Sequence, residues 1–193
     1  MFKTLLVYGH LLATCIALGR VLLADHKLWL WRKTPLGSTR LAYLEETQKI
    51  VTLALLALWA SGLLLVLQGY LDEGQRYLLN QKLWAKVAVV VLLSLNGMLL
   101  HRIGFPQLQR GAFAALSFPA RSRLALLGAL STSGWLFAAF LGVARPWNHV
   151  LPCLHVLAVF AALVALACGT ALVVAHIAGV AGAGRSDRGS ATP

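Results

Sequence analysis

VYGHLLATCIALGRVLLADH, residues 7–26, is apolar enough to sit in hydrocarbon, yet it carries His10 and Arg20 inside it and closes on Asp25 and His26. Its length exceeds the apolar core of a secretory signal, and the histidine and arginine interrupt it, so it reads as a membrane span and not as a cleaved leader. Ionisable groups inside a span cost free energy and are kept where they face a partner or a cavity. The direction in which His10 and Arg20 point therefore matters from the outset.

The rest of the chain follows the same pattern. Of its 193 residues, 59% are hydrophobic and 12% charged, and the mean hydropathy is +0.76, which defines a polytopic membrane protein. A span needs roughly 20 apolar residues at 1.5 Å each. Five segments meet that length, at about 4–24, 50–68, 83–101, 124–144 and 151–177, the third once Lys86 is allowed to snorkel outward. The expected fold is an all-α bundle of five transmembrane helices over residues 1–180. Residues 181–193, rich in Gly, Ala and Ser, read as a disordered cytoplasmic tail.

Basic residues fix the expected orientation, because Lys and Arg are retained on the cytoplasmic side during insertion. One side collects Lys27, Arg32, Lys33, Arg40, Lys49, Arg102, Arg110, Arg121, Arg123, Arg185 and Arg188; the other holds Lys3, Arg76, Lys82, Lys86 and Arg145. The N-terminus is thus expected outside and the C-terminus inside, as in a bacterial-type inner membrane. The net charge of +11 is accounted for by loops at a membrane surface, which argues against a nucleic-acid groove. Cys15, Cys153 and Cys168 have no CxxC spacing and read as small packing residues.

Helical rotation at 100° per residue sorts the polar side chains by face. Around His10, the residues Ala13, Thr14, Ala17 and Ala24 fall within roughly 60°, with Arg20 about 80° away. In the last span His155, Ala158, Ala162, Ala165, Gly169 and His176 occupy a sector about 80° wide. In the third, Lys82, Lys86, Gly97 and His101 share a side, with Asn96 at its flank. Small residues permit close approach of helices or of a flat cofactor, so these stripes are expected to face the interior. His10, about 9 Å deep, and His155, about 5 Å deep, are placed to meet. His26, His101 and His176 form a second, weaker cluster at the inner surface.

Two imidazoles on facing helices suit haem b, with His10 and His155 as axial ligands. Lys82, Lys86 and Arg145 would then lie near the propionates, and Arg20 and Arg102 near the inner cluster. The simpler readings stand beside this one. Histidines at the interface need no ligand, Arg20 can snorkel or pair with Asp25, and Trp29, Trp31, Trp84 and Trp147 form an aromatic belt. Ser131–Gly134 and Ser61–Gly62 read as close-packing sites whose hydroxyls bond back to their own helix. All six acids fall in loops, at a span end or in the tail, which weighs against an ion pump. No phosphate loop or hydrolytic triad is present, so whether the chain is an enzyme stays open.

The order of features resembles a broad superfamily of small membrane proteins. These features are "VYGHLLA" and "GRVLLADH" in the first span, "LALWASGLLLV" in the second and "KLWAKVAVVVLLSLNGMLLHR" in the third. That superfamily includes CopD-type copper-resistance proteins and HemJ-type protoporphyrinogen oxidases. The resemblance covers roughly residues 5–145. It implies an interior lined by His, Arg and Lys that handles haem b, a porphyrin or copper, with His10, Arg20 and Lys86 as the matching residues and His101 less closely placed. A quinone or a redox protein would be the partner for electron transfer. The alternatives are a copper or small-solute transporter or accessory protein, and a scaffold without catalytic function. The sequence leaves oligomeric state undetermined.

Overall fold

The computed structural model describes the backbone of residues 1–189 and the side chains of residues 1–179. Among the described residues all regular structure is helical. The elements are α1 (Phe2–Trp31), α2 (Ser38–Glu73), α3 (Gln75–Leu78), α4 (Gln81–Leu99), α5 (Phe105–Gln109), α6 (Phe118–Val143) and α7 (Cys153–Gly189). Five of these helices are long and apolar enough to cross a membrane, with α4 counted together with its continuation to Gln109. The tail expected at 181–193 falls outside the residues described with side chains.

Local chemistry sets the helix boundaries. Gly74, in the left-handed region at φ 63°, turns the chain from α2 into α3. The Asn80 side chain accepts from the Lys82 amide at 3.2 Å and caps α4. Pro119 opens α6, where its missing N–H has no intrahelical partner to lose. Between α4 and α5 the helix widens into one π turn, Leu100–Gly104. Pro106 follows at once; its ring cannot sit against the carbonyl of Arg102 in a regular helix, and the wider turn relieves that conflict.

Antiparallel α1 and α2 pack together, α6 packs on α1, α4 and α7, and α4 also touches α7. The main core joins Ala13, Ala17 and Val21 of α1 with Ala54 and Leu58 of α2, Ala85, Val89 and Leu93 of α4, Trp135, Phe137 and Leu141 of α6, and Val156 and Phe160 of α7. The four-residue spacing gives each helix one ridge, and alanine at the α1–α2 contact lets the backbones approach. Phe137 and Phe160 stack with centroids 5.1 Å apart. A smaller cluster, Leu44, Leu108 and Leu124, closes the end of the bundle at which α1 finishes.

Two sequence expectations change here. α1 continues past residue 24 to Trp31, so Asp25 and His26 lie within the helix and not at a span end. The α7 stripe also reverses: His155, Ala158, Ala162, Ala165, Gly169 and His176 are all exposed, while Val156, Phe160, Ala175 and Ala178 are buried. The two sets lie about half a turn apart on the wheel. Val156 and Phe160 join the main core, so the face that carries His155 is the one left outside.

Candidate functional site

Two polar centres interrupt the apolar interior. The first joins α1 and α2 near the start of α1. His10 Nδ1 lies 2.7 Å from Ser61 Oγ, and that hydroxyl donates its own proton to the Ala57 carbonyl at 2.6 Å. Ser61 can therefore only accept from the imidazole. This puts the proton on Nδ1 and leaves Nε2 with a free lone pair. On α4, Lys82 is only 2% exposed and its ammonium donates to the Ala144 carbonyl. Lys86, one turn further, is half-buried, and its charge acts on both Lys82 and His10. Both lysines therefore sit inside the bundle, where snorkelling to the rim was expected for Lys86.

The second centre joins α1 to α6. Thr132 Oγ1 donates to Asp25 Oδ2, and Gly128, one turn earlier on α6, lies against the same carboxylate. Thr132 stands nine residues, about 13 Å, beyond Arg123, the last charged residue of α6. Asp25 is thus an interior carboxylate within the apolar part of the bundle. Among the described residues it has no cation within salt-bridge distance. Arg20, expected to pair with Asp25 or snorkel, approaches Glu46 instead at 3.9 Å, a partly exposed contact worth little.

Asp25 opens onto a cavity of about 1180 Å³, walled by α1, α2, α4, α6 and α7 and by the π turn. Its walls are apolar apart from a few groups, among them Asp25, Arg32, Thr47 and the Ser131–Ser133 run. Thr47 is 6% exposed and its hydroxyl has no partner. The register set by His10 on Ser61 and by Lys27 over Tyr43 puts Asp25 opposite Glu45 and Glu46. Asp25, Thr132 and Thr47 are three polar residues on the wall of an otherwise apolar space.

The histidines singled out in the sequence are dispersed. His10 is interior, whereas His155 is exposed on the outer face of α7, so the expected pair does not share an inner space. In the second cluster His26 is exposed, His101 is bonded to Gln48 at 3.1 Å, and His176 lies edge-on to Phe118 at 6.1 Å. Among the described residues no three His, Cys, Asp or Glu side chains converge as metal donors. Cys15, read as a packing residue, is exposed.

Sequence reasoning missed Asp25, Thr132, Ser61 and Thr47. A signal existed for Asp25: continued past residue 24, the wheel puts it about 60° from His10, on the inner face. The hydroxyls carry no such mark. Ser133 and Ser61 do bond back to their own helices as expected, but Thr132 turns across to α1 and Ser61 receives His10. No family model, curated protein or solved structure matches the chain.

Proposed function

We propose that this integral membrane protein binds a lipid-soluble small molecule in the cavity beside α7, with its polar head at the Asp25 level. The observation that carries this reading is the cavity: about 1180 Å³ of apolar space with one interior carboxylate on its wall. Ligand sites have this character, mostly apolar with a few placed polar groups, and this volume is somewhat above their usual range of about 300–1,000 Å³. An intramembrane acid is a functional group by default because hydrocarbon penalises it otherwise. A ring carrying an alkyl or isoprenoid chain, as in a quinone, matches both parts and agrees with the redox partner inferred from the sequence. The basic-residue count supports an N-terminus outside and a C-terminus inside a plasma-type membrane.

The test is direct. Trp29, Trp135 and Trp147 line the cavity, so 2-decyl-1,4-benzoquinone titrated into the protein in lipid nanodiscs should quench tryptophan fluorescence saturably. Filling the space with Ala171→Trp should weaken binding at least tenfold. Quenching that stays linear and is unchanged in Ala171→Trp refutes the reading.

One observation favours a second role, in haem b or copper binding. Ser61 holds His10 in the tautomer whose Nε2 can ligate a metal, and a ligating imidazole commonly has its other nitrogen fixed in this way. The donor set offers haem one imidazole, with Lys86 near it as a cation for a propionate, and gives no support to a six-coordinate pairing with His155. When bound, haem would supply one-electron chemistry, while the chain would orient it and exclude water. A Soret band lost in His10→Ala and retained in His155→Ala is the expected result. A band that survives His10→Ala refutes it.

A further inference from the structure

The hydrogen-bond inventory around Asp25 says more about the ligand's head. Three of the hydroxyls lining the cavity have already given away their protons: Thr132 to Asp25, Ser133 to the Ala129 carbonyl at 2.6 Å and Thr170 to the Leu166 carbonyl at 2.9 Å. None of these three has a proton left for a ligand. The Asp25 carboxylate receives one protein donor, although two oxygens offer about four lone-pair sites. The Thr47 hydroxyl, buried and unpartnered, is on the wall of the same cavity. Buried polar groups left unpaired are costly, and in native proteins they mark the place of a partner.

Resting on the cavity reading above, we propose that the site selects heads that donate hydrogen bonds, such as the phenolic hydroxyls of an alkyl hydroquinone, with Asp25 as the acceptor. An alkyl quinone or ether of the same shape can take the Thr47 proton but leaves Asp25 without a second donor.

The experiment compares 2-decyl-1,4-hydroquinone, kept reduced under argon, with its dimethyl ether, using the full chain in nanodiscs and tryptophan quenching as the readout. The hydroquinone should bind at least tenfold more tightly than the ether. Thr47→Val, which keeps the side-chain shape, should leave that preference in place. Asp25→Leu should abolish it. Equal binding of the two compounds overturns this inference alone and leaves the cavity reading standing. A preference that persists in Asp25→Leu also overturns it. No saturable binding of either compound, or of the benzoquinone, overturns both.

Discussion

Replacing Thr132 with valine removes the one protein donor to Asp25 and keeps the volume of the side chain. The carboxylate then remains half-buried in the bundle, with no cation in salt-bridge range among the described residues. Neutral interhelical hydrogen bonds in membranes are worth about 0.6 kcal/mol on average. A bond to a charged acceptor is roughly twice as strong, and orphaning a buried acceptor adds its desolvation cost. Thr132→Val should therefore destabilise the bundle by about 1.5 kcal/mol. Asp25→Leu removes the charge itself and leaves Thr132 free to bond back to its own helix, so its cost should be under about 0.5 kcal/mol. The double variant should resemble Asp25→Leu, giving a coupling energy of at least about 1 kcal/mol. Unfolding equilibria in mixed micelles, measured by steric trapping, read these differences. A Thr132→Val cost below about 0.5 kcal/mol, or a double variant as damaged as the sum of the singles, refutes the view of Asp25 as an interior carboxylate dependent on one donor.

Three further outcomes follow from the packing. A methyl group added at Gly134 would lie 2.7 Å from Leu93 Cδ2 and 3.2 Å from its Cγ, so Gly134→Ala should cost about 1–3 kcal/mol, with Leu93→Ala recovering part of it in the same unfolding assay. On α7, Ala162→Leu should change stability by less than about 0.5 kcal/mol, because that face points outward, whereas Ala175→Leu should cost about 1–3 kcal/mol. At the α2–α3 corner, where the Tyr77 ring packs on Gly69, burial pushes the Tyr77 phenol above its ordinary value of 10.0. The folded state then holds that proton more tightly than the unfolded state does. The corner should keep its full stability below about pH 10 and lose it as pH rises further, and Tyr77→Phe should remove this dependence. Absorbance at the tyrosinate band and thermal unfolding across that range check it.

Composition and periodicity determined that this chain forms a bundle of five apolar helices, because hydrocarbon admits backbone polar groups only when they are bonded within their own segment. The packed face of the first span was legible for the same reason: Ala13 and Ala17 are buried, and His10, half-buried, meets Ser61 of α2. Tertiary structure decided the rest. A helical wheel gives a face without naming its partner, and in lipid a stripe of alanines can be either an interface or an outer surface. Val156 and Phe160 took the inner side of α7, and His155 went outside with the small residues. The Asp25–Thr132 and His10–Ser61 pairs join residues 107 and 51 positions apart. Contacts of that separation arise from which helices pack together and in what register, and no local pattern encodes either.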